Sequence, residues 1–337
     1  MSRDGHHADA VSGVAELLRL DGHQQWIARP AWSRDGRLLA TPSADRTLRL
    51  WEAESGRLLR TLECGLKMAT CCAFSPDGRL LAVGSVNNLL TVWEVETGQK
   101  LHSLRGHVKS VMSLAFSSDG SLLASVAYDQ MILIWKTSDW SELRRLQGHA
   151  DYVLDVSWAP GGSILASASD DGTVGLWEAS TATPVKLFKG HSDKVKSVGF
   201  SPQADLIASA SQDHTVMLWD PGRDKPVGAL EGHEDAVHSV AFSHDGALLA
   251  SKSKDSTVRL WDPSSLTQLA SIPEPASKSS LSSLSFHPSR PVLASHNGSA
   301  LRLWQLSPEK LLANAPAPDK PHKPSLFSRV KSLLGSR

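Results

Sequence analysis

A chain of 337 residues, 41% of them hydrophobic, can bury an ample core. Its 35 basic residues are matched by 35 acidic ones, so it lacks the excess positive charge that tracks a phosphate backbone, and nucleic acid is excluded as a partner. No apolar stretch reaches the ~18 residues of a membrane span, and Cys64, Cys71 and Cys72 are too few and too close for a disulfide framework, so a cytoplasmic protein is expected.

Residues 1–14 are polar, with His6 and His7 and no apolar signal core, and read as a flexible start. From 15 to 306 the chain repeats. Trp51, Trp93, Trp135, Trp177, Trp219, Trp261 and Trp304 are spaced by 42 residues five times and then by 43, dividing it into units 15–52, 53–94, 95–136, 137–178, 179–220, 221–262 and 263–306. A catalytic residue usually occurs once in a domain, so a residue at fixed period is architecture first. Within the fourth unit, Val153–Trp158, Ile164–Ser169 and Thr173–Glu178 are short β-branched and apolar runs separated by Pro/Gly/Asp turns. That is strand and hairpin chemistry, and no run keeps a helical period. Ser33-Arg34-Asp35-Gly36 recurs as Ser75-Pro76-Asp77-Gly78, Ser117-Ser118-Asp119-Gly120 and Ser243-His244-Asp245-Gly246. About four strands per unit cannot bury both faces alone; seven units stacked radially leave only short, protected edges.

After the repeats, residues 307–324 read as a short helix and a Pro-rich linker: Ser307-Pro308 is an N-cap followed by proline at N1, and the prolines from Pro316 to Pro324 make an extended spacer. Residues 325–337 read as a basic amphipathic helix, with Leu326, Phe327, Val330, Leu333 and Leu334 at helical spacing. Five Lys/Arg against Asp319 give residues 316–337 a charge of +4, leaving −4 on the rest. A helix this short is marginal alone in water. Three roles stay open: docking in a partner's groove, lying on an anionic membrane, or packing on its own repeats.

The recurring Gly-His pair, the Asp before the third strand and the closing Trp-Asp (Trp219-Asp220, Trp261-Asp262) resemble the WD40 family over roughly residues 15–306. The resemblance implies an all-β fold, a seven-bladed WD40 β-propeller with a short C-terminal helical tail. It also implies structural hydrogen-bond sets: His23 with Asp45 near Trp51, His107 with Asp129 near Trp135, His149 with Asp171 near Trp177, His191 with Asp213 near Trp219, and His233 with Asp255 near Trp261. Two units depart from it. Gly65 and Asn87 stand in the His and Asp slots of the second; Ile272-Pro273-Glu274-Pro275 and Gly298 replace them in the seventh. Both partners are lost together there, and these two blades are expected to be the loosest. Family members usually close the ring with an N-terminal strand, a role that Glu16–Leu20 fits better than its rival Lys310-Leu311-Leu312.

No Gly-rich phosphate loop, HExxH or CxxC occurs, and the His, Asp and Ser of a hydrolase triad recur in five units, which favours structural bonding over catalysis. The expectation is a non-catalytic scaffold or adaptor with no metal and no cofactor. The family's contact slots fall at Trp26 and Ala28; at Met68, Thr70 and Val86; at Ser110, Met112 and Tyr128; at Tyr152, Leu154 and Asp170; at Lys194, Lys196 and Gln212; and at Ala236, His238 and Lys254. Both tyrosines of the chain lie among them, followed by three lysines. This half-apolar, half-basic rim suits a protein or peptide partner, acidic or phosphorylated, with an apolar anchor. The chain is expected to be monomeric. The alternative is a peripheral membrane recruiter held weakly by its tail.

Overall fold

The computed structural model describes residues 11–65, 67–203, 205–275 and 283–313. Its hairpins are set by the Ser-x-Asp-Gly turns. In the first, Ser33 Oγ donates to Asp35 Oδ1 at 2.6 Å and accepts the Leu38 amide at 2.9 Å, while Gly36 takes φ +71°, a left-handed conformation that glycine adopts without strain. The same side-chain bond recurs at Ser75–Asp77, Ser117–Asp119 and Ser243–Asp245.

The described strands form seven four-stranded antiparallel sheets, the blades of an all-β propeller. Blade one runs from the axis outward through Ala31–Trp32, Leu38–Pro42, Thr47–Glu52 and Leu58–Glu63, and blades two to six repeat this meander. Blade seven takes Leu284–Phe286, Val292–Asn297 and Ala300–Leu306 from one end of the chain and Val14–Leu20 from the other. Val14 pairs with Leu306 and Leu20 with Leu301, so the N-terminal strand closes the ring. Its rival, Lys310–Leu312, lies in a helix, Pro308–Leu312, with Ser307 at the N-cap and proline in the first turn. Leu311 of this helix is buried beside Leu306, and the Ser307 amide donates to Gly13 O at 2.8 Å. Leu326, Phe327, Val330, Leu333 and Leu334 lie outside the described residues.

The core sits in the seams between blades. At the seam of blades four and five, Ala166, Ala168, Val174, Leu176 and Phe188 meet Val195, Val198, Phe200, Ile207 and Trp219. Small residues on the second strand leave room for the next blade's indole, and burying each tryptophan contributes about 3 kcal/mol. Inner strands share a second device. In each of blades two to six the innermost pair of strands shifts register once, between Ala69 and Cys71, Val111 and Ser113, Val153 and Asp155, Val195 and Ser197, and Val237 and Ser239. A bulge of this kind re-aims the side chain that follows it. Here it turns one residue per blade toward the axis.

Candidate interaction face

Five blades carry one hydrogen-bonded chain. His23 Nδ1 lies 2.7 Å from Asp45, His107 2.9 Å from Asp129, His149 and His191 each 2.8 Å from Asp171 and Asp213, and His233 2.7 Å from Asp255. Each Nε2 meets a hydroxyl of the second strand, on Thr41, Ser125, Ser167, Ser209 or Ser251, at 2.7–2.8 Å. The same hydroxyl accepts the indole N–H of Trp51, Trp135, Trp177, Trp219 or Trp261 at 2.8–2.9 Å. One assignment satisfies every group: indole N–H to hydroxyl, hydroxyl O–H to Nε2, and Nδ1–H to carboxylate. The imidazole is then neutral. Burial agrees, holding His23 and His233 below the ordinary imidazole value. Burial opposes the Asp45 carboxylate, but bonds from Thr47, His23 and the Gln24 amide outweigh it and hold it down to about 2.

The two departing blades solve the problem differently. In blade two, Thr91 Oγ1 takes the Trp93 indole at 2.9 Å. In blade seven the sequence suggested that both partners were simply lost; instead Glu274 occupies the imidazole site. It accepts from Ser295 Oγ, which takes the Trp304 indole at 2.8 Å. Ser295 and Trp304 are nine residues apart, against ten for Ser251 and Trp261, so the intervening turn is one residue shorter. The counter-charge comes from the next blade: buried Lys252 pairs with buried Glu274 across the seam of blades six and seven. Burial, with Arg302 nearby, pushes the Lys252 ammonium down, and contact with Glu274 works the other way. Trp93 and Trp304, at 8% exposed each, are the least buried of the seven indoles.

On the rim where the inner strands begin, Tyr128 and Tyr152 stack across blades three and four with centroids 4.6 Å apart, and Lys109 Nζ lies 5.3 Å above the Tyr152 ring. Beside them Asp170 accepts from Lys194 Nζ at 3.0 Å and Lys196 Nζ at 2.8 Å. Two of the three expected lysines are thus already paired with an acid from the same set of slots, while Lys254 Nζ lies 3.6 Å from Asp235. The bulge explains a second difference. Met112 and Leu154 are the extra residues of their bulges and turn inward, 4% and 8% exposed, so they support the rim from beneath. Ala28, Thr70 and Ala236 are likewise buried. Trp26, Met68, Val86 and Ser110 are half-buried, and Gln212 and Lys254 exposed. His238 is half-buried, and burial beside Lys196 pushes its pKa down to about 4.

One column of residues escaped the sequence reading. The bulges aim Cys71, Ser113, Asp155, Ser197 and Ser239 at the axis, and counting back 42 residues from Cys71 places Arg29 in the same column. Asp155, 5% exposed, accepts from Ser113 Oγ at 2.8 Å, Ser197 Oγ at 2.7 Å and the amides of Val156 and Val198 at 2.9 and 3.0 Å. Arg29 crosses from blade one to pair with it, and its other terminal nitrogen donates to Lys196 O at 3.2 Å. The signal was present: the sixth residue after each His repeats as a position but varies in type.

Comparison with protein families bears on this geometry. Residues 31–188 match a model described as the Echinoderm microtubule-associated protein second beta-propeller, and residues 182–220 and 224–262 match the WD domain, G-beta repeat. The chain belongs to the WD40-repeat family. A WD40 propeller is typically a non-catalytic scaffold for protein interactions. Over 66 residues the chain is 41% identical to eukaryotic translation initiation factor 3 subunit I of Phaeosphaeria nodorum, covering 19% of this chain and 20% of that protein. The match thus spans about a fifth of the length of that curated relative. Among the described residues of this WD40 propeller, no helix is long and apolar enough to cross a membrane.

Proposed function

We propose that this propeller is a non-catalytic adaptor that binds a protein segment across the rim of blades three to five. The observation that carries this reading is the stacked Tyr128–Tyr152 pair beside the Lys194–Asp170–Lys196 cluster. An aromatic or aliphatic anchor would lie on the rings, while a carboxylate or phosphate of the segment would compete with Asp170 for the two ammonium groups. Reactive chemistry has little support. The His and Asp groups are spent in the repeated chains, and burial raises the Cys64 and Cys71 thiols to about 12 and Cys72 well above its usual value. The named relative is a subunit of a larger factor, in keeping with an assembly role. In this reading the protein is a cytoplasmic monomer, its three thiols free, and the tail residues 325–337 supply a second docking contact.

Affinity capture with the full chain, followed by titration of the purified partner, tests the site. Tyr128→Ala with Lys196→Glu should weaken the partner by about 2 kcal/mol, roughly thirtyfold in Kd. Unchanged affinity in a variant that melts like the parent would remove the rim from the interface.

A further inference from the structure

A cavity of about 380 Å³ lies on the axis, lined by residues from all seven blades. On the rim side its lining stops at Arg29 and Asp155, whose pairing across the axis bars the channel. From there it runs toward the opposite face, that of the Ser-x-Asp-Gly turns, where Trp32, Ala73, Ser285 and Pro288 are partly exposed. The inner strands of blades one and seven, Ala31–Trp32 and Leu284–Phe286, have two and three residues, against six in blades two to six. Residues flanking these two short strands, Arg29, Pro30, Ser283 and Pro288, also line the cavity.

We propose that this cavity is a second binding site, separate from the rim and entered from the turn face, for a neutral, ring-sized group carrying an oxygen acceptor. Its volume lies at the small end of the ~300–1,000 Å³ usual for ligand pockets. Trp32, Phe74 and Phe286 give it aromatic walls on three adjoining blades, and the Trp32 indole is fixed by donating to Ser285 O at 3.2 Å. The charged lining residues are Arg29 and Asp155, and they neutralise each other, so an ion entering the cavity would find no counter-charge. At the inner end Ser239 Oγ accepts the Leu284 amide at 3.2 Å, and among the described residues no acceptor takes its own proton. That proton selects a ligand oxygen. The same chemistry is found in a free phenol and in a partner's tyrosine side chain.

Ligand-observed NMR and calorimetry on the full chain, with p-cresol as the probe, test the site. Saturable p-cresol binding is expected, with neither benzoate nor benzylammonium matching it. Ala31→Leu, which fills the cavity, should abolish binding, and Ser239→Ala, which fills nothing, should weaken it roughly threefold to tenfold. Tyr128→Ala on the other face should leave it unchanged, so failure here is distinguishable from failure of the rim. N-acetyltyrosinamide identifies the source: if it binds as p-cresol does, the site takes a partner's side chain, and if it does not, a free small molecule. Absence of saturable p-cresol binding, equal binding of the charged analogues, or binding that survives Ala31→Leu in a folded variant would overturn the proposal.

Discussion

Ser209 shows how much one hydroxyl does in each regular blade. It accepts from Trp219 Nε1 at 2.8 Å and lies 2.7 Å from His191 Nε2, so Ser209→Ala leaves an indole donor and an imidazole acceptor unpaired together. Denaturant unfolding should show a loss of about 1–3 kcal/mol, and a loss under 0.5 kcal/mol would mean that the seam admits water to both groups. His191, Asp213 and Trp219 could be grouped in the sequence through its resemblance to the WD40 family, whereas Ser209 was not named there. Glu274 was not legible: a carboxylate does not resemble an imidazole, and its role shows only once Ser295 and Lys252 are seen around it. Arg29 and Asp155 were missed for a related reason. Their column repeats in position, not in residue type, and the pairing across the axis is a property of the closed ring.

At the level of strands and blades, the seam between blades six and seven differs from its neighbours. Other His–Asp pairs lie within one blade, whereas Lys252 and Glu274 join two. Removing one partner of a buried ion pair leaves an uncompensated charge, while removing both charges together can be nearly neutral. Lys252→Met alone should therefore destabilise the fold by about 3–5 kcal/mol, and Lys252→Met with Glu274→Gln should recover most of it, as read by chemical denaturation. Equal losses in the single and double variants would show that packing of the lysine stem is what matters. Strand order and turns could be read from alternation and the Ser-x-Asp-Gly motif. Bulges could not, since an extra residue in a ladder leaves no mark in hydropathy. That is why Met112 and Leu154 looked like surface residues and prove to be buried beneath it.

For the whole molecule, the repeated chains link stability to pH. His23 and His233 are held below the ordinary value by burial, so below about pH 6.5 the unfolded chain binds more protons than the folded one. Their contribution is complete above that value and declines as pH falls. Asp45, held down to about 2, contributes above about pH 3.9 and loses that contribution as pH drops toward 2. The melting temperature should fall from pH 6.5 to 4, and fall more steeply below. A flat profile between 7 and 4 would mean that these imidazoles are already charged when folded.

The strand Val14–Leu20 leaves the ribosome long before its hydrogen-bonding partner Ala300–Leu306 has been made. Until then the nascent polypeptide holds an unsatisfied edge on Val14–Leu20 and an incomplete arc behind it. Contacts so distant along the chain form slowly, and exposed edges invite aggregation. Closure of the ring must wait until Ala300–Leu306 has been made, and a product cut short before residue 300 would be left with an open ring that no later step can mend.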